Sequence, residues 1–252
     1  MKILAVETAT SCQSVAVLDG PRVLARSDEE AAGSQARLLI PTIDRLLKTS
    51  GLTLSSLEGL AVSIGPGSFT GLRVGLATMM GLRAATGLPL AAVPTLEAMA
   101  WNVPRDDVPL CPILKARTGE VYWGLYRWTA AGTLQVIEAE RVGPLESVVR
   151  SFVGPTVVLG EGWATNRNEL RRLLGPGEDQ VREAPAGAMA ASAVSVGLAG
   201  LERLTRGDIA GQGLAPRYVQ RAEAELKRDR HANVSLALGN RLESAGTLKP
   251  SN

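Results

Sequence analysis

The chain has 252 residues, 45% hydrophobic but only 4% aromatic, with a formal net charge of +2. That length leaves room for two lobes and a substantial core, and the composition makes the core mostly Leu, Val and Ala. The small charge argues against a broadly basic nucleic-acid binder. Cys12 and Cys111 are the only cysteines and lack C-x-x-C spacing. They read as buried or half-buried thiols of a cytoplasmic protein. A strand pattern begins at Lys2, so no signal peptide is expected. The uncharged run 184–201 is broken by Pro185, Gly187, Gly197 and Gly200 and reads as a close-packed buried helix, not a membrane span. The basic runs at Arg171-Arg172 and Lys227-Arg228 to Arg230 are interleaved with acids, as solvated surface is.

In chain order, KILAVET, QSVAVLD and RVLARSD alternate and turn twice, which predicts an antiparallel meander over residues 2–28. Ser34 is a candidate N-cap for a helix to about Lys48, with Leu39, Ile43, Leu46 and Leu47 on one stripe. An apolar strand over 58–64 then runs into Gly65-Pro66-Gly67-Ser68-Phe69-Thr70-Gly71 and a helix over 71–86. A strand over 89–93 and a helix from about Thr95 follow. After the loop 102–109 a second copy begins. Ile113-Leu114-Lys115-Ala116-Arg117-Thr118 resembles Ile3-Leu4-Ala5-Val6-Glu7-Thr8, and each is followed by a turn and another strand. Strands near 134–142 and 156–159 continue the copy, and a helix over 188–206 is expected to close the second lobe. This reading predicts an α/β, two-lobed, actin-like (ribonuclease-H-like) fold. The expected divisions are an N-terminal lobe at 1–105, a smaller lobe at 106–217 and a charged tail at 218–252.

The glycine loop could expose backbone N–H groups at a helix start, where anions bind. It fits none of the familiar phosphate loops. No Lys-Ser or Lys-Thr follows, the G-x-G-x-x-x-G spacing is one residue longer than the dinucleotide fingerprint, and Pro66 and Thr70 stand at the glycine positions of a nucleophile elbow. The bland alternative is that Gly65 and Gly67 permit a tight turn and Gly71 starts the helix without crowding. Histidine is scarcer still: His231 is the only one. A Ser-His-Asp or Cys-His hydrolase cannot be assembled from it, and neither can a His-rich zinc site.

SIGPGSFTGLRVGLATMMGLRAATGLPL, the opening MKILAVETATSCQSVAVLD and the later GEVYWGLY together resemble the bacterial TsaB (YeaZ) family over roughly residues 1–130, and more loosely over APRYVQRAEAE. The resemblance implies a non-catalytic partner subunit of the machinery that adds threonylcarbamoyl to the N-6 of the tRNA adenosine beside the anticodon. It implies pairing with the metal-bearing catalytic paralogue TsaD, work alongside the ATPase TsaE, homodimers when alone, and contact with tRNA only through the complex. No membrane role, metal or cofactor is expected, with weak adenine-nucleotide binding at most.

Glu7, at the end of the first strand, is the acid that in actin-like ATPases holds Mg²⁺, usually through water. Family members tend to carry Asp here. The matching strand end offers Lys115 and Arg117, two cations expected to face the cleft, with Lys115 where relatives often have Asp. Nucleotide-binding candidates are therefore Glu7, Thr8, Gly65 and Gly67, and the competing role for Glu7 is capping the hairpin turn through Thr8 or Thr10. An actin-like small-molecule kinase or ATPase is the alternative function. Trp123 is expected to face away from Tyr122 and Tyr126 on its strand, as core packing.

The helix after the loop has no charge between Arg73 and Arg83. A helix apolar all round needs cover on all sides, and a sheet covers about half. Gly75, Thr78 and Leu82 form one line, with Ala77, Gly81 and Ala84 beside it. The family docks through this helix and the one before it. The resemblance therefore implies a partner interface of Leu38, Thr42, Arg73, Val74, Gly75, Ala77, Thr78, Gly81 and Leu82.

Overall fold

A computed structural model describes residues 1–105 and 107–219. The charged tail from residue 220 on, with His231 and the basic run at 227–230, lies outside the described residues. The first sheet contains β1 (Lys2–Glu7), β2 (Cys12–Asp19), β3 (Arg22–Glu30), β4 (Gly59–Ser63) and β5 (Leu90–Val93), in the order β3-β2-β1-β4-β5. β1 pairs antiparallel with β2 (Lys2↔Asp19 through Glu7↔Ser14) and parallel with β4, which pairs parallel with β5. The second sheet contains β6 (Leu110–Lys115), β7 (Glu120–Trp128), β8 (Leu134–Pro144), β9 (Thr156–Leu159) and β10 (Val181–Glu183), in the order β8-β7-β6-β9-β10. Each strand has its counterpart five strands later. The molecule is a duplicated, two-lobed actin-like fold.

Helices α1 (Gln35–Thr49) and α2 (Phe69–Thr86) cover one face of the first sheet, over Leu4, Val6, Val15, Val17, Leu60 and Val62. α4 (Leu145–Arg150) and α5 (Glu161–Leu174) cover the equivalent face of the second, over Ile113, Val121, Trp123 and Val158. Trp123 and the two tyrosines do lie on opposite faces. α2 starts two residues before the expected Gly71, because Ser68 caps it: its Oγ accepts from the Gly71 N–H at 3.2 Å.

The remaining helices exchange places. α3 (Thr95–Ala100) follows the first sheet but packs Leu96, Met99 and Ala100 on Leu110, Leu114, Tyr122 and Tyr126 of the second. α6 (Ala193–Thr205) follows the second sheet but packs Ala193, Val196 and Ala199 on Ile3, Ala5, Ala16, Leu18, Ala61 and Ala91 of the first. This corrects the expected 188–206 helix in two ways. It begins at Ala193, capped by Ser192 Oγ accepting from the Val194 N–H at 3.1 Å, and it closes the first lobe instead of the second. The 106–217 division is corrected with it, because residues after α6 also return to the first lobe: the Ala210 N–H donates to Leu90 O at 2.8 Å. Small residues explain the fit. A Cβ on Gly200 would lie 2.5 Å from Ala61 Cβ, and one on Gly197 2.6 Å from Leu18 Cδ1. Arg203 of α6 and Glu97 of α3 join the exchanged helices by a bidentate pair at 2.8 Å. Among the described residues no helix is long and apolar enough to cross a membrane.

Candidate functional site

The glycine loop is pressed against the β1–β2 turn. A side chain on Gly67 would collide with the Ala9 carbonyl, one on Gly71 with the Thr8 carbonyl, and one on Gly75 with Thr8 Oγ1. The loop's amides are used inside the fold. The Gly65 N–H donates to Thr95 Oγ1 (3.2 Å), the Ser68 N–H to Ala9 O (2.6 Å) and the Gly71 N–H to Ser68 Oγ. Thr8 is fully buried and its hydroxyl donates to Gly71 O at 2.9 Å. The glycines thus let three backbone segments meet, which is the bland alternative, and donors that an anion would need at Gly65, Ser68 and Gly71 already have partners.

Glu7 is fully buried. Its Oε1 accepts from the Ala9 N–H, so it does cap the hairpin turn, though through Ala9 and not through Thr8 or Thr10. Burial pushes its carboxyl up to about 7, with the Ala9 bond and the nearby Ser63 hydroxyl pulling the other way. The hydroxyl is close enough to favour the carboxylate, yet neither Ser63 Oγ nor Glu7 Oε2 completes a well-aimed hydrogen bond.

Between the lobes lies a cleft of about 280 Å³, lined by Thr10, Ser11 and Cys12 on one side and Leu114, Gly160 and Glu161 on the other. Its lining is largely apolar and its one charged lining residue is Glu161, an acid. Lys115 and Arg117 do not line it. They border a separate pocket with Thr118, Leu145, Thr165 and Asn166, and Arg117 lies 3.7 Å from Glu120. The expectation that both cations face the cleft is corrected: the end of β6 carries them towards α4 and α5. Among the described residues, no group of three or more His, Cys, Asp or Glu side chains is placed to hold a metal ion.

The docking residues divide by face. Gly75 and Thr42 are buried, Gly75 against Thr8 and Thr42 against Gln13, whose Nε2 donates to its hydroxyl at 3.4 Å. Both belong to the lobe's interior, which corrects their assignment to a partner surface. Leu38, Val74, Thr78 and Leu82 are half-buried, and Val74 and Leu82 pack on the core beneath α1 and α2. Arg73, Ala77, Gly81 and Ala84 face outward, and nothing lies within 4 Å of a Cβ built on Gly81. The outer line of α2 is therefore Ala77, Gly81 and Ala84, not Gly75, Thr78 and Leu82. Ile40 of α1, 52% exposed, is a further large apolar side chain at the surface and was missed. It falls outside the Leu39–Ile43–Leu46 stripe, a signal that was available. Tyr218, which stacks on Phe69 at 5.1 Å, was also missed. No local pattern links residues so far apart.

Residues 28–155 match the family model for TsaD, the tRNA N6-adenosine threonylcarbamoyltransferase. The tRNA threonylcarbamoyladenosine biosynthesis protein TsaB of Escherichia coli K12 is 35% identical over 168 residues, 65% of this chain and 72% of that protein. The protein of the same name from Haemophilus influenzae is 39% identical over 181 residues, 65% of this chain and 73% of that one. The solved structure of YeaZ from Pseudomonas aeruginosa superposes with a TM-score of 0.70 at 28% identity, covering 86% of this chain and 99% of that one. Relatives of that identity and coverage, on the same duplicated fold, establish that the chain belongs to the TsaB (YeaZ) family of tRNA threonylcarbamoyladenosine biosynthesis proteins.

Proposed function

We propose that this chain is a non-catalytic subunit of the tRNA threonylcarbamoyl-transfer machinery and acts by pairing with a TsaD-type catalytic paralogue. The observation that carries the reading is the outward line of Ala77, Gly81 and Ala84 on α2, together with the exposed Ile40 of α1. Residues this small let a partner helix approach closely, and an apolar face of this kind on a soluble surface marks an interaction site. The same face pairs two copies when the paralogue is absent. TsaE acts on the assembled complex, tRNA is reached only through it, and the work is done in the cytoplasm. The subunit needs no cofactor of its own and holds adenine nucleotide weakly, since its cleft is lined by an acid and the amides of Gly65, Ser68 and Gly71 are occupied.

Ala77→Arg and Gly81→Arg test the pairing. Both positions are exposed, so the variants should fold with wild-type melting temperatures while a bulky charge is set into an interface of about 1,200–2,000 Å². Light scattering after size exclusion, with and without the paralogue, should then show monomers and loss of the heteromer. Wild-type pairing by both variants would place the interface elsewhere.

A further inference from the structure

After α6 the chain crosses back over the first lobe. Arg83 Nη1 donates to Gly211 O at 3.0 Å, Leu214 packs with Leu72 and Leu76, and the Arg217 N–H donates to Ile64 O at 2.6 Å. The Arg217 carbonyl fills the space that a Gly65 side chain would take, at 2.7 Å. Tyr218 then stacks on Phe69 and accepts from Arg73 Nε at 3.0 Å. The Arg217 side chain leaves this lobe altogether. Its Nε lies 3.2 Å from Glu140 Oε2 on β8 of the second sheet, and that carboxylate is only 2% exposed.

The groups facing Glu140 come from β7, α3 and the segment after α6. Tyr126 of β7 donates its hydroxyl to Oε1 at 3.4 Å, the Leu96 N–H of α3 favours the charged form, and Glu97 of α3 opposes it. Arg203 of α6 is committed to Glu97 and Asp208. Among the described residues that leaves Arg217 as the cation paired with Glu140. The pair is an ionic contact without a well-aimed hydrogen bond.

We infer that residues 207–219 form a latch over the glycine loop whose closure depends on the charge of Glu140. With the carboxylate ionised, Arg217 is held across the lobes. With it protonated, the end from Arg217 to Val219 lifts from Ile64 and Phe69. Ala210 and Leu214 tie one end of the latch to the first lobe's backbone and core. At the other end the Arg217 side chain and Tyr218 are 48% and 42% exposed and rehydrate readily on release, and Val219, packed against the second lobe's core, leaves with them.

Burial pushes the Glu140 carboxyl up to about 7, so the switch falls near neutrality. The sign separates latch opening from unfolding. A folded carboxyl raised above its ordinary 4.5 binds more protons than the unfolded one between those pH values, so this titration raises global stability as pH falls from about 7 towards 4.5. Arg217 lowers the closed carboxyl, so the open form titrates higher and the latch opens as pH falls towards about 7.

Hydrogen exchange of the full chain, read by mass spectrometry and corrected for intrinsic amide chemistry, tests this without any partner. Latch peptides over 212–219 should open about tenfold more at pH 6 than at pH 8, as loss of a charge-assisted contact implies. Peptides from α6 should be unchanged. Glu140→Gln should leave the latch open at both pH values, with a melting temperature at pH 8 no lower than wild type. Arg217→Gln, which leaves the second lobe's core intact, should open it equally. A latch as closed as wild type at pH 8 in either variant, or a pH dependence that persists in Glu140→Gln, overturns the inference.

Discussion

Gly75→Ala adds one methyl group to the inner face of α2, where it would overlap Thr8 Oγ1, with Thr8 Cβ and Cγ2 at an ordinary 3.5 and 3.7 Å. Thr8 is fully buried, and turning its hydroxyl away breaks the bond to Gly71 O. Overpacking of this kind costs about 1–3 kcal/mol, and the lost hydrogen bond about 1 kcal/mol. Alanine returns about 1 kcal/mol of helix propensity. The substitution should therefore destabilise by about 2 kcal/mol, lowering the melting temperature by about 4–8 °C for a chain of this size. With Thr8→Ala already present the obstructing oxygen is gone, and the same change should stabilise by up to about 1 kcal/mol. The double-mutant cycle, measured by denaturant unfolding of all four proteins, should give a coupling of about 3 kcal/mol. Additivity within about 0.5 kcal/mol would mean that α2 does not press on the β1–β2 turn, and the account of this loop would fail.

Glu7→Gln should be more stable than wild type at pH 8, by up to about 3 kcal/mol. The folded Glu7 carboxyl is raised to about 7, so wild-type stability falls as pH rises from about 4.5 to 7 and the full penalty stands above that. Gln keeps an acceptor for the Ala9 N–H. Denaturation midpoints that differ at pH 8 and converge near pH 5 are expected, and equal midpoints at both would refute it. Burial raises the Cys111 thiol far above its ordinary range, and burial with Asp28 and Glu30 nearby raises the half-buried Cys12 less severely. Under native conditions iodoacetamide should modify Cys12 slowly and leave Cys111 untouched, with both reacting in urea. Native labelling of Cys111 at the unfolded rate would contradict its burial.

Much of this fold was legible because alternation works where a sheet has two different covers. Leu4 and Val6 against Ile3 and Ala5 mark the two faces of β1, and the repeated hairpin marks the duplication. The destination of α6 was not legible. Gly197 and Gly200 show that something comes close, but both sheets offered a face and only the chain's path decides between them. The orientation of α2 failed for a related reason. With no charge from Val74 to Leu82 there is no polar stripe to fix which side turns outward, so Gly75 and Ala77 look interchangeable until Thr8 is in place. Glu7 was recognisable as an acid ending a strand, and its capping role was among the readings weighed. Glu140 and Arg217 carried no signal, because a single ion pair between distant segments leaves no local pattern.

The exchange of α3 and α6 also sets a timetable for synthesis. The alanine-rich face of the first sheet is made early, from Ile3 to Ala91, yet the helix that covers it ends at Thr205. At about 5–20 residues per second, that face stays bare for several seconds or more while the second lobe is still being made. Its side chains are mostly alanine, small enough that the exposed surface is modest and a poor nucleus for aggregation. A first lobe severed near residue 105 would keep that exposure permanently, and supplying the remainder as a separate chain would be the way to close it.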